Sequence, residues 1–196
     1  MLHPPQPHDR NREGRIATSG TRARRRPIVV AVAIAAVVTI LVVAAVRLAF
    51  PPAASSGIAR GQPAPDITGT TLDGAPFRLA DLRGHPVIVN FWGPSCIPCR
   101  SEFPLFKSKL AEHSADGLAI VGVLMYDTPT EARAFVAEFG ATWPTVLDLD
   151  GRVRSSYQAV ARPQTYFIDR SGVLRTIQIG EVVSADFERQ YATIAR

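Results

Sequence analysis

Cys96 and Cys99, both cysteines of this 196-residue chain, are separated only by Ile97 and Pro98 in the stretch FWGPSCIPCR. Thiols at this spacing leave three chemistries open: redox exchange, half of a metal site, or inert burial. The stretch follows PVIVNFW, Pro86 to Trp92, a short apolar run ended by Gly93-Pro94 that suits a fully buried strand. From Cys96 to about His113, apolar residues at 103, 106 and 110 fall on one helical face, with Pro104 an expected kink. The first cysteine therefore lies at a helix N-terminus. There the partial positive charge and free N–H groups favour a thiolate, lowering its pKa below the ordinary value of about 8.5. Cys96 is the expected nucleophile, and Cys99, one turn later, is placed to resolve a mixed disulfide. Pro98 lacks an N–H that the first turn does not need.

The competing chemistries meet specific obstacles. Structural zinc wants four ligands, and the sequence has no second C-x-x-C; His85 and His113 stand alone. An electron-transfer copper site wants paired histidines and a matching methionine, and Met125 is the only methionine besides Met1. No metal or cofactor is expected. A structural disulfide closing so short a loop would constrain the unfolded chain very little. Redox exchange is the favoured reading.

A second element supports it. Arg162-Pro163-Gln164 precedes the strand Thr165 to Asp169. Proline costs a ladder bond there unless it starts the strand, so Pro163 is either an ordinary strand-initiating proline or a cis proline. In the second case the backbone before it offers a docking edge for a peptide.

Other elements alternate along the chain. DITGTTLDGAPFRLADL reads as a β-hairpin turning at Asp73-Gly74. Leu118 to Tyr126 reads as a second buried strand. Thr128-Pro129 opens a helix through Phe139, with Thr128 as N-cap and Glu131 completing a capping box. TVLDLDG suits a short edge strand before a helical turn around 153–158. TYFIDRSGVLRTIQIG suits a hairpin turning at Ser171-Gly172, and Ala185 to Ile194 a closing amphipathic helix. The order predicts an α/β fold whose two central strands are joined by a crossover helix.

Charge and hydropathy divide the chain. Residues 1–27 carry seven arginines against Asp9 and Glu13, a net +5, whereas from Pro51 onward 14 basic residues face 15 acids. A nucleic-acid surface on the folded part is not expected, since such domains carry their own basic excess. Ile28 to Val46 is 19 residues with Thr39 alone polar. As a helix it reaches about 28 Å, close to a hydrocarbon core of about 30 Å. Arg22, Arg24, Arg25 and Arg26 before it orient the N-terminus to the cytoplasm and the rest outward. A cleaved signal peptide is the alternative, although its apolar region is usually shorter. The expected organisation is a disordered basic tail over 1–27, a membrane anchor over 28–50, a linker over 51–62 and an extracytoplasmic domain over 63–196.

The C-x-x-C, the later proline and the order of elements together resemble the thioredoxin superfamily. The chain is most similar to its membrane-anchored branch of TlpA, ResA and CcmG type thiol-disulfide oxidoreductases. GQPAPDITGTTLDG resembles that branch's N-terminal hairpin, LADLRGHPVIVNFW its lead-in, CIPCRSEFP its active site and ARPQTYFIDRSGVL its cis-proline strand. The resemblance covers about 61–196. It implies a thioredoxin-like fold, a central mixed sheet flanked by helices, with an added N-terminal β-hairpin and one preceding transmembrane helix.

The resemblance also implies disulfide exchange with exported thiol proteins. The leading case is a reductase acting on apocytochrome c during cytochrome c maturation, supplied with electrons by a membrane reductase of CcdA or DsbD type. Alternatives are an oxidant or isomerase of secreted proteins, or a copper-delivery protein for oxidase assembly using the same thiolates as soft ligands. Cys96 and Cys99 would form the redox-active disulfide. Trp92, Arg162, Pro163 and Gln164 are the expected substrate-contacting residues. Glu102 matches an active-site acid of ResA-like members. It could take or return the proton of Cys99 if burial raised its pKa; otherwise it simply complements the helix dipole. Asn90 stands where cytoplasmic thioredoxins carry a buried aspartate, and an amide cannot titrate. Three features depart from the branch: Gly93-Pro94-Ser95 in place of a second tryptophan before Cys96, Arg162 in place of a small or aliphatic residue, and Gln164 where CcmG-like members often carry glutamate. A guanidinium near Cys96 would stabilise its thiolate and favour acidic or neutral partner segments.

Overall fold

The computed structural model describes residues 25–49 and 58–196, and the chain divides between Ala54 and Ser55 into two units. The expected basic tail up to residue 24, and the end of the anchor with most of the linker at 50–57, lie outside the described residues.

In the first unit, α1 spans Arg25–Ala49, and its segment Val29–Val46 is long and apolar enough to cross a membrane. Its side chains over that segment are exposed. An all-apolar surface has no solvent-facing side to give to water, so lipid is a fitting environment for it.

The second unit is built on a sheet of five strands in the order β5-β4-β3-β6-β7. β3 (Val87–Trp92) runs parallel to β4 (Ala119–Leu124) and antiparallel to β6 (Gln164–Ile168). β5 (Thr145–Leu147) forms one edge beside β4, and β7 (Leu174–Ile179) the other beside β6. Because β3 and β4 are parallel, the chain must cross over between them, and α2 (Ile97–Glu112) makes that crossing. α3 (Pro129–Phe139) connects β4 to β5, α4 (Arg152–Ser156) follows β5, and α5 (Ser184–Tyr191) closes the unit.

Every residue of β3 is buried because both faces of the sheet are covered. Val87, Val89 and Phe91 join one core with Val121, Val123, Tyr157 and Tyr166. Ile88 and Trp92 join the other with Phe103, Phe106, Phe135 and Phe187. The pleat that separates these sets also assigns Asn90 to the second face, toward α2. On that face Trp92 packs on Phe103 and Phe135 at ring-centroid distances of 4.7 and 4.9 Å. Each such ring, fully buried, stabilises the fold by about 2–3 kcal/mol.

The expected hairpin forms as β1 (Thr68–Thr70) and β2 (Pro76–Arg78), with Gly74 at φ +88° in its turn. A single 3₁₀ turn, Leu79–Leu82, leads from it toward β3. The capping box on α3 also forms: Thr128 Oγ1 accepts from the Glu131 amide, and the Glu131 carboxylate accepts from the Thr128 amide. Gly140 ends that helix in the left-handed conformation.

Several boundaries shift by a few residues from expectation. α5 ends at Tyr191 rather than Ile194. α4 starts at Arg152 rather than Val153, because both oxygens of Asp148 accept from the Val153 and Arg154 amides and close its first turn. Gly61 and Gln62, placed by sequence in the linker, pair with Leu174 through two backbone bonds of 2.7 and 2.9 Å.

Candidate active site

Parallel strands gather loops at their carboxyl ends, and the two cysteines lie at the carboxyl end of β3. The chain turns at Gly93, whose carbonyl accepts from the Cys96 amide at 3.1 Å, and enters α2 with Cys96 as N-cap. The Cys99 amide donates to Cys96 Sγ at 3.2 Å. That is the first-turn N–H that a Cys96 thiolate would also receive. The two sulfurs form a disulfide. Cys96 is 7% exposed and Cys99 0%, so the two sulfurs are unequal. Both are buried in the disulfide form, Cys96 the less completely.

Glu102 follows Cys99 by three residues, which puts both on one helical face. That face meets the sheet where the pleat directs Asn90. Asn90 Nδ2 donates to Glu102 Oε1 at 2.8 Å and to Thr165 Oγ1 at 3.0 Å; Thr165 is its direct cross-strand partner on β6. The Val182 amide donates to Glu102 Oε2 at 3.1 Å. Glu102 is 0% exposed. Burial pushes its pKa up to about 8, outweighing the bonds from Val182 and Asn90 that favour the charged form. Simple complementing of the helix dipole would call for an ionised, solvated carboxylate, and this one is neither solvated nor readily ionised.

The peptide bond between Arg162 and Pro163 is cis. Gln164 braces the loop that leads to it. Its Oε1 accepts from the Val160 and Ala161 amides at 2.9 and 3.3 Å, and its Nε2 donates to Tyr166 Oη at 2.6 Å. The Pro163 carbonyl accepts from the Gly180 amide at 2.9 Å. Gln164 is buried and Trp92 is completely so. Of the four expected substrate-contacting residues, these two therefore hold the walls of the site from within. Arg162 is the most accessible of the four.

The Arg162 guanidinium is already engaged. Nη1 bonds the Met125 carbonyl at 2.6 Å and the carboxylate of Asp127, while Nη2 reaches Ser95 Oγ at 3.2 Å. Ser95 Oγ in turn donates to Asp127. The guanidinium expected near Cys96 is thus ion-paired, and the Asp127 carboxylate opposes its charge there. Neither Tyr126 nor Asp127 was singled out by sequence. The signal that places Asp127 is register, because Trp92 pairs with Leu124 and so sets residues 93–95 beside 125–127.

Around this site are exposed apolar side chains: Ile97, directly after Cys96; Tyr126, with its ring under the Arg154 and Arg162 guanidiniums; Val160; and Val183. Among the described residues, one cluster has the composition of a metal site. Glu112 at the end of α2, His113 just after it and Glu188 on α5 have their ligand atoms within 4.8 Å of one another. The fold thus brings His113, isolated in sequence, to two carboxylates. The Lys109 ammonium bonds both of those glutamates, so the place of a cation is filled by a side chain. Among the described residues, the two sulfurs of the active site belong to no such cluster.

Residues 60–177 match the AhpC/TSA family. The chain is 35% identical over 137 residues to the thioredoxin-like protein YneN of Bacillus subtilis, a match covering 68% of this chain and 79% of that one. It is 33% identical over 139 residues to the thiol-disulfide oxidoreductase ResA of Geobacillus kaustophilus, covering 71% and 80%. Among solved structures, a thiol:disulfide interchange protein of the thioredoxin family from Chlorobium tepidum superposes with a TM-score of 0.65 at 28% identity, covering 70% of this chain and 99% of that one. The expected resemblance holds in sequence and in fold. With one cysteine capping a helix start, the other fully buried one turn later and a cis proline in place, the chain belongs to the AhpC/TSA family as a thioredoxin-like thiol-disulfide oxidoreductase of the ResA kind.

Proposed function

We propose that the protein is a membrane-anchored reductase of exported proteins, with Cys96 as nucleophile, Cys99 as resolving thiol and Glu102 as proton acceptor for Cys99. The position of Cys96 as N-cap of α2, with Cys99 fully buried one turn later, carries this reading. In the dithiol form, the Cys96 thiolate attacks one sulfur of a substrate disulfide. A mixed disulfide forms and the other substrate sulfur leaves as a thiolate. Glu102 takes the proton from Cys99, whose thiolate then attacks Cys96 Sγ. The Cys96–Cys99 disulfide forms, and the substrate leaves as a dithiol with the two electrons. A membrane thiol donor of CcdA or DsbD type would restore the dithiol.

The apolar helix α1 serves in this reading as an uncleaved anchor, with the arginine-rich N-terminus cytoplasmic and the catalytic unit outside. The organisation of tail, anchor, linker and domain follows from it. The similarity to ResA supports apocytochrome c as a substrate, and with it a role in cytochrome c maturation.

Trapping with Cys99→Ser tests the role. The mixed disulfide on Cys96 can no longer be resolved, so partners stay attached and can be identified from cells. Apocytochromes are the expected catch, whereas a broad set of unrelated secreted proteins would point to an oxidant or isomerase. A reduction potential below about −250 mV fits the reductase and one near about −120 mV the oxidant. Tight Cu(I) binding without disulfide turnover would favour copper delivery instead.

A further inference from the structure

Asp127 lies where three segments of the site meet. It accepts from the Ser95 hydroxyl at 2.8 Å and from the Ser95 amide at 3.3 Å, one residue before Cys96. It also pairs with Arg162, one residue before Pro163. Both charges sit against the turn that delivers Cys96, since a Cβ added at Gly93 would overlap the Asp127 carboxylate and the Arg162 guanidinium. Glycine is what lets the pair occupy that position. The side chains of the pair are only 12% and 19% exposed, so water screens them little. Removing one partner of such a pair leaves the other charge uncompensated.

Tyr126 completes the arrangement. It holds a left-handed backbone at φ +69°, unusual for a bulky residue, and its exposed ring lies 5.4 Å from the Arg162 guanidinium carbon. The backbone turn there directs the Met125 carbonyl and the Asp127 carboxylate to the same guanidinium nitrogen.

We propose that Asp127 is a positioning residue for disulfide exchange: it cancels the charge of Arg162 beside Cys96 and ties the Cys96 turn to the cis-proline loop. The Arg162 charge at the docking edge is thereby compensated, leaving Arg154 over the Tyr126 ring as the next positive charge outward. Beside Cys96 the edge, flanked by Ile97 and Val160, suits neutral rather than acidic segments around a partner's cystine. This inference rests on the disulfide-exchange reading above and adds a residue to it.

A charge cycle on the full-length protein in detergent tests it. Cys96 alkylation is followed against pH, and the exchange equilibrium is followed against a glutathione series. Asp127→Asn frees the guanidinium. It should raise the Cys96 thiolate fraction at pH 7 and shift the exchange constant toward the dithiol by about three- to tenfold. Arg162→Gln frees the carboxylate and should shift both in the opposite direction. The double variant should return near the wild type. A brace with no electrostatic role would lower the melting temperature without moving either readout. No shift in the single variants, or a shift that the double variant does not cancel, overturns the proposal. Where Asp127→Asn does not fold, Arg162→Gln alone decides, since an unchanged alkylation profile overturns the proposal by itself. Failure of the wild type to exchange with glutathione at all would count instead against the function from which the proposal starts.

Discussion

The amide nitrogen of Asn90 lies 2.8 Å from Oε1 of Glu102, inside the core and one helical turn beyond the buried Cys99. The amide anchors the carboxyl without sharing its proton, because only the glutamate of the two can titrate. A carboxyl pushed up to about 8 is mostly protonated at neutral pH yet close enough to ionisation to accept a proton from a thiol. Replacing Glu102 with glutamine keeps the shape and removes that capacity. In single-turnover reduction of a model disulfide, resolution by Cys99 should slow by about tenfold to a hundredfold at pH 7. The wild-type rate should rise with pH through a midpoint near 8, and the variant should lose that midpoint. Equal rates and equal profiles would remove Glu102 from the reaction.

The same residue ties stability to pH in the disulfide form. Its folded value is raised, so the folded protein holds a proton that the unfolded chain releases near the ordinary 4.5. The stabilisation is complete below that value and is lost as pH rises to about 8. Between pH 5 and pH 8.5 the wild type should lose about 2–4 kcal/mol relative to Glu102→Gln in urea unfolding. Parallel stability curves for the two proteins would contradict the burial argument.

Accessibility separates the two thiols. After reduction, iodoacetamide should modify Cys96 at least about tenfold faster than Cys99, since Cys96 keeps a little exposure where Cys99 has none and receives the first-turn N–H of α2. Peptide mapping after brief labelling measures the ratio. Comparable labelling would exchange or erase the assigned roles.

Gln164 braces the loop before Pro163 by accepting two backbone amides. Gln164→Leu has similar volume and leaves the Val160 and Ala161 amides without this acceptor, at a cost of about 1–3 kcal/mol. The denaturation midpoint should fall, and substrate exchange should weaken with it. A stable variant impaired only in exchange would instead indicate direct contact between Gln164 and the partner.

Phe103, on the inner face of the active-site helix, packs on Trp92, Phe135 and Trp143 with ring centroids 4.7, 4.8 and 5.1 Å away. Phe103→Ala should cost about 3–5 kcal/mol. Calorimetry of the disulfide and dithiol forms would show the loss in both. A loss confined to one form would mean that the core beneath α2 repacks with redox state.

Local rules were enough for much of this protein. Alternation and turn chemistry place the hairpin at Asp73-Gly74, the apolar run places β3, and Thr128, Pro129 and Glu131 start α3 where the capping box forms. The spacing of Cys96 and Cys99 ahead of a helical pattern is likewise local, so residue order alone makes the redox pair legible. Three-residue spacing also set Glu102 near Cys99. The sequence by itself could not assign its neighbours, because the Asn90 and Val182 contacts span 12 and 80 residues. Those depend on which face of β3 the pleat turns toward α2 and on where the β7–α5 loop returns. Burial, and hence the raised pKa of Glu102, is a property of that assembly. The same holds for Arg162: its type suggested a free positive charge, but the register of β3 with β4 brings Asp127 beside it and changes the charge that a partner meets. Residue type and spacing determined which groups can react; tertiary register decided which of them are buried, paired and compensated, because fields and desolvation depend on distance in space rather than along the chain.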